Sequence, residues 1–137
     1  MRKVLLDTNI YVAFKRNDME IVDAFRHLDY IGIDVTVLAE LYSGFKCGKK
    51  DKLNRIELKE FINNPRVHLL EHDYTTAEYY SIIYLNLREK GSPIPTNDIW
   101  IAAVALQNGL AVFTKDNHFS YIDGLIVKDI IGFDPKN

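Results

Sequence analysis

The stretch Arg2-Lys3-Val4-Leu5-Leu6-Asp7-Thr8-Asn9 passes through an unbroken apolar centre and stops on a carboxylate followed by two small polar residues. A continuous apolar run of this length is the pattern of a strand buried on both faces of a parallel sheet. A strand with one wet face would alternate instead. Asp7 marks the C-terminal end of that strand, and Thr8 is placed to cap a short helix reaching residue 14.

Further along the chain the apolar spacing changes to a helical period. Ile21, Val22, Phe25 and Leu28 share one face of a helix expected over 19–28, and Tyr30-Ile31-Gly32-Ile33 reads as a second brief strand. Val37, Leu38, Leu41, Tyr42 and Phe45 follow helical spacing over 36–47, with Gly48 as a natural stop. Residues 49–63 form a charged helix or loop that Pro65 ends, and Val67-His68-Leu69-Leu70 is a third strand. A long helix over 75–89 stops at Gly91, and a stiff connection containing Pro93 and Pro95 leads to Thr96 or Asn97 as the cap of the next helix. That helix runs to Gln107 and is closed by Gly109. Its segment Ile99 to Leu106 is apolar nearly all round, so it belongs in the domain centre. Residues 110–113 form a fourth strand, 114–118 a polar turn and 125–127 a last strand.

Strands alternating with helices imply right-handed crossovers and a mainly parallel sheet covered on both faces. The expected architecture is a single α/β domain over 1–137, a three-layer sandwich. Ligands of such sheets bind beyond the C-terminal strand ends, where Asp7 and Asp116 would lie.

With 137 residues the chain is long enough to bury a sizeable core, and 47% hydrophobic with 26% charged residues is ordinary for a globular protein. Cys47 is the only cysteine, which excludes an intramolecular disulfide and a cysteine-based zinc site and makes the cytosol the simple location. Val4-Leu5-Leu6 is too short for a signal-peptide core and no later segment reaches spanning length, so neither export nor membrane insertion is expected. A net charge of −2 argues against nucleic-acid binding by bulk positive potential. Lys46, Lys49, Lys50, Lys52 and Arg55 nevertheless face one acid, Asp51, and this local segment reads as a solvated helix face or as an RNA-facing patch.

Four acids stand beside strongly apolar sequence, where an ionised group is costly to bury without a partner. Asp7 and Asp98 each have an ordinary reading as helix-start residues favoured by the dipole. Asp116 is a common turn residue. Glu40 lies mid-helix within about 60° of the Val37–Leu41 stripe, where its ordinary role would be a partly buried ion pair to Lys46 or Lys49. Two strand ends, a helix start and a helix margin can nonetheless converge on one pocket. Four carboxylates there would either take up protons or bind a hard cation, and oxygen-only ligands suit Mg²⁺ or Mn²⁺ better than zinc.

At Leu5-Leu6-Asp7-Thr8-Asn9, Leu38-Ala39-Glu40-Leu41-Tyr42-Ser43-Gly44, Asn97-Asp98-Ile99-Trp100-Ile101-Ala102-Ala103 and Phe113-Thr114-Lys115-Asp116-Asn117-His118-Phe119 the chain resembles the PIN-domain family, especially the VapC-like toxin ribonucleases of toxin–antitoxin systems. The resemblance spans nearly the whole length. It implies a Mg²⁺-dependent endoribonuclease, with Mn²⁺ as a possible substitute, whose metal site is Asp7, Glu40, Asp98 and Asp116. Asn9 and Thr114 would stand in or beside that site. It further implies 5′-phosphate and 3′-hydroxyl products, a homodimer, and a small antitoxin whose tail, often through an arginine, occupies the acidic groove.

Other features read more plainly. His118 is expected to be a turn histidine. His68 and His72 lie four apart on strand and loop, where that spacing does not align them on one helical face, so a zinc site is not expected. Tyr80, Ile83, Tyr84 and Leu87 form a helical stripe suited to core or to a dimer surface. A haloacid-dehalogenase-type phosphatase would need a second aspartate where Asn9 stands, and a receiver module would need paired acids there. A non-catalytic RNA-binding or scaffolding PIN domain is the rival from another class, against which the four intact acids speak.

Overall fold

The apolar runs become five strands, β1 (Lys3–Leu6), β2 (Tyr30–Asp34), β3 (Val67–Leu70), β4 (Ala111–Phe113) and β5 (Val127–Lys128), in a computed structural model that describes residues 2–128. Six helices connect them: α1 (Thr8–Lys15), α2 (Met19–Phe25), α3 (Val35–Cys47), α4 (Asp51–Ile62), α5 (Tyr74–Lys90) and α6 (Thr96–Asn108). A 3₁₀ helix, Asn117–Tyr121, follows β4. The strand order is β3-β2-β1-β4-β5 and every pairing is parallel, as the α/β three-layer reading requires.

This order places a crevice. The chain steps outward from β1 to β2 to β3, then returns to the other side of β1 for β4 and β5. Right-handed crossovers therefore lay α1 to α4 on one face of the sheet and α5 with α6 on the other. The direction reverses between β1 and β4, where Leu6 is paired with Phe113 and the Asp7 N–H donates to the Phe113 carbonyl at 3.0 Å. Connections leave this point toward opposite faces, so the space beyond the two strand ends stays open.

Packing holds that rim in place from both sides. Leu5, Leu6, Ile33, Phe113 and Phe119 are fully buried, and each such side chain contributes roughly 1.5–3 kcal/mol by leaving water. Phe14 stacks on Phe25 at 4.5 Å and Tyr11 meets Phe61 edge-on at 5.1 Å, which ties α1, α2 and α4 together. On the other face α6 buries Ile101 through Ala105 completely, as its nearly unbroken apolar surface demands. A Cβ on Gly32 would come within 3.1 Å of Leu5 and Leu70, so glycine lets the layers close over β2. Gly109, at φ 65°, ends α6 in the left-handed conformation and turns the chain into β4.

Several boundaries differ from the sequence reading, each for a local reason. Thr8 is the first helical residue and Asp7 is the cap, its Oδ1 accepting the Thr8 N–H at 2.8 Å. Helix α6 begins at Thr96 with Pro95 in the cap position and no side-chain cap, so neither Thr96 nor Asn97 plays the expected part. Helix α2 ends at Phe25; the turn after it is held by short-range bonds such as Leu28 N–H to the Phe25 carbonyl, which still brings Leu28 into the core. The ambiguous stretch 49–63 contains α4. The polar turn after β4 winds on into the 3₁₀ helix. The last strand starts at Val127 and not Leu125, because pairing with β4 begins at Val127 opposite Val112 while Ile126 is exposed.

Candidate active site

Each of the four singled-out acids is delivered to the crevice by a different element. Asp7 stands at the end of β1, Glu40 on α3, Asp98 in the first turn of α6, and Asp116 at the cap of the 3₁₀ helix. All four line one open cavity of about 630 Å³, together with Asn9, Arg16 and Lys115. Asp7 and Asp98 are buried; Glu40 and Asp116 are half-buried.

Asp7 is the most constrained. Its Oδ2 accepts the Thr114 hydroxyl at 2.7 Å and the Asn9 side-chain amide at 3.3 Å. The Thr114 oxygen in turn accepts the Asp116 N–H at 2.9 Å, and the Lys115 N–H donates to Asn9 Oδ1 at 3.2 Å. Two small polar side chains thereby bind the end of β1 to the loop after β4. Thr114 thus stands beside the acids, its hydroxyl on the Asp7 carboxylate and its oxygen on the Asp116 N–H.

Glu40 does not make the ion pair to Lys46 or Lys49 that its position on α3 suggested. Its Oε1 accepts the Thr8 hydroxyl at 2.8 Å, and the Asn97 side chain also hydrogen-bonds it. Thr8 and Asn97, read from sequence as caps, are instead turned toward this carboxylate. Neither carried a signal beyond its adjacency to an acid.

His118 also departs from its reading as a plain turn residue. Its Nδ1 lies 2.9 Å from Asp98 Oδ2 and 3.1 Å from Asp116 Oδ1, and its N–H donates to the same Asp116 oxygen at 2.9 Å. Fully buried Phe119 anchors the 3₁₀ helix next to it, which sets where the ring can reach. The periodicity around 114–119 is too short to show which way that turn faces.

These carboxylates are not at ease in the folded chain. Burial pushes Asp7 up to about 6, against the Thr114 and Thr8 hydrogen bonds that lower it, and the charges of Asp98 and Glu40 add to the rise. Burial likewise raises Glu40 and Asp98; a hydrogen bond from Thr8 opposes the first shift and one with His118 the second. The hydrogen bond with Asp98 raises His118. Among the described residues no lysine or arginine forms an ion pair with any of the four acids. An oxygen-rich, partly buried cluster whose members repel one another, with only His118 beside two of them, fits a hard divalent cation.

The PIN-domain family model matches residues 4–125. The chain belongs to the PIN-domain family. This PIN domain is 28% identical over 127 residues to ribonuclease VapC5 of Mycobacterium tuberculosis, covering 93% of each chain. It is 30% identical over 118 residues to ribonuclease VapC2 of Haemophilus influenzae, covering 85% of this chain and 88% of the relative. Among solved structures it is similar to the DNA-bound VapBC from Salmonella typhimurium, with a TM-score of 0.85 at 28% identity over 95% of this chain and 99% of that one. VapC-like sequence and fold therefore extend over nearly the whole PIN domain.

Other candidates lie elsewhere. The basic residues Lys46, Lys49, Lys50 and Lys52 are exposed and do not line the cavity, while Arg55 pairs with Asp51 at 2.8 Å and lies 4.2 Å over the Tyr42 ring. His68 stacks on Tyr30; His72 stacks on Trp100 and reaches Asp34, so the two histidines serve separate contacts. The α5 stripe divides: Ile83 and Leu87 are core, whereas Tyr84 is exposed. Among the described residues no helix is long and apolar enough to cross a membrane.

Proposed function

We propose that this chain is the endoribonuclease toxin of a VapBC-type pair, hydrolysing RNA phosphodiester bonds with Mg²⁺, or Mn²⁺ in its place, held by Asp7, Glu40, Asp98 and Asp116. The observation that carries this reading is the convergence of those four carboxylates, from four separate elements, on one cavity, with no lysine or arginine ion pair to any of them among the described residues. The names of the relatives support the reaction, and the VapBC structure supports a partner.

A bound divalent ion supplies charge neutralisation on the phosphoryl oxygens and a lower pKa for water. The chain does the positioning. Thr114 and Asn9 hold the Asp7 carboxylate against rotation, and outer partners of this kind are worth about 10–100-fold in metal affinity or activity. Glu40, steadied by Thr8 and Asn97, orients the attacking water for in-line displacement of the 3′ oxygen, leaving a 5′-phosphate and a 3′-hydroxyl. Arg16 and Lys115 on the cavity wall offer cationic contacts to neighbouring phosphates.

The partner in this reading is a small antitoxin that inserts a basic side chain among the carboxylates, an arginine fork matching them best. The protein works in the cytoplasm as a homodimer, with residues 1–137 acting as one nuclease unit. The test is cleavage of end-labelled total RNA by purified protein with Mg²⁺, with chelator, and with Asp98→Asn. Discrete metal-dependent fragments absent from the variant support the enzyme; a folded, metal-binding protein that cuts nothing favours a non-catalytic PIN domain.

A further inference from the structure

We propose that His118 is a nitrogen ligand to the cation of this site, so that the centre is a mixed nitrogen–oxygen site selective for Mn²⁺-type ions over Mg²⁺. The inference rests on the reading of the acids as a cation site and adds a donor that no sequence motif assigns to it. A carboxylate oxygen from each of Asp98 and Asp116 and a ring nitrogen of His118 lie within 4.8 Å of one another. His118 Nδ1 stands 2.9 Å from Asp98 Oδ2 and 3.1 Å from Asp116 Oδ1. Neighbouring ligands of an octahedral ion with bonds of about 2.1 Å are about 3 Å apart, so both separations match edges of such a shell.

The same ring nitrogen is close to an oxygen of both carboxylates, so an ion shared by the two acids falls within its reach once the proton it shares with them is released. The turn that carries the half-exposed ring is held in place: Asp116 caps it and Phe119 at the next position is fully buried. Imidazole suits first-row transition ions, while Mg²⁺ takes oxygen ligands, so a third donor of this type shifts selectivity away from Mg²⁺. The oxygen-only set expected from the sequence is thereby extended by one nitrogen.

The full-length protein is titrated with Mn²⁺ and with Mg²⁺ by calorimetry, and the Mn²⁺ form is examined by pulsed EPR for coupling to a coordinated imidazole nitrogen. The wild type shows that coupling. His118→Gln and His118→Ala, checked for folding by circular dichroism, lose it; Mn²⁺ affinity falls about tenfold or more while Mg²⁺ affinity changes less than about threefold, a contrast that follows from ligand type. Mn²⁺ bound without nitrogen coupling, or coupling that survives in both variants, overturns the assignment of His118 and leaves the acidic site standing. Absence of Mn²⁺ and Mg²⁺ binding at millimolar ion overturns this assignment together with the cation-site reading beneath it.

Discussion

Two adjacent parallel strands end in aspartates that look alike and do different things. Asp7 closes β1 and caps α1; Asp34 closes β2 and caps α3, accepting the Val37 N–H at 3.0 Å. Both are buried. The second oxygen of Asp34 lies 3.1 Å from His72 Nε2, and the His72 ring stacks on Trp100 at 4.8 Å, so that carboxylate is satisfied beneath an aromatic lid and outside the cavity. The second oxygen of Asp7 receives only neutral donors and shares the cavity with three further acids. A strand-end aspartate is thus a structural cap when a basic side chain completes it, and a ligand candidate when other carboxylates face it.

The largest effect that tests this contrast is on cleavage. Asp7→Asn or Asp98→Asn is expected to lower the RNA cleavage rate by at least about 10²–10³-fold, the scale of losing one preorganised electrostatic partner, with folding intact by circular dichroism. An active Asp7→Asn protein would erase the distinction between the two aspartates. Next comes ligand-linked stability. Mg²⁺ or Mn²⁺ at about 100 times its dissociation constant should stabilise the wild type by about 2.7 kcal/mol, seen as a higher Tm, and should not do so in Asp7→Asn. The shift should persist in Asp34→Asn, since Asp34 lies outside the cavity.

Asp34→Ala sharpens the other half. Losing the cap and the His72 contact should cost about 1–2 kcal/mol in urea unfolding, and a variant as stable as wild type would show the cap to be idle. The smallest expected effect is on pH. The folded chain holds the Asp7 proton up to about pH 6, above the ordinary 3.8, so it binds more protons than the unfolded chain in between. The stability Asp7 contributes is therefore present below about pH 4 and is lost as pH rises to about 6. In metal-free protein the wild type should lose stability relative to Asp7→Asn across that window and stay level above it; a constant difference would contradict the shift.

Parts of this site were legible because they are local. An apolar run ending in an acid locates Asp7, and a mid-helix acid at the margin of an apolar face locates Glu40. Thr8, Asn97 and His118 were read as caps and turn because nothing within a few residues distinguishes a hydroxyl, amide or imidazole that bonds its own backbone from one that reaches another element. The Glu40 partner Thr8 lies 32 residues away, and the Asp98 partner His118 lies 20 away. Asp34 is silent in the sequence for the same reason: its partner His72 is 38 residues distant.

Hydrophobic periodicity by itself determined the strand and helix alternation, the burial of α6 and the placing of acids at element ends, because burial and backbone period act over neighbouring residues. Only the tertiary structure decided which acids share a cavity, which strand-end aspartate is completed by His72, and that Thr114 joins β1 to the loop after β4. Those outcomes depend on strand order, and strand order is set by packing between segments that the linear chain keeps up to about a hundred residues apart.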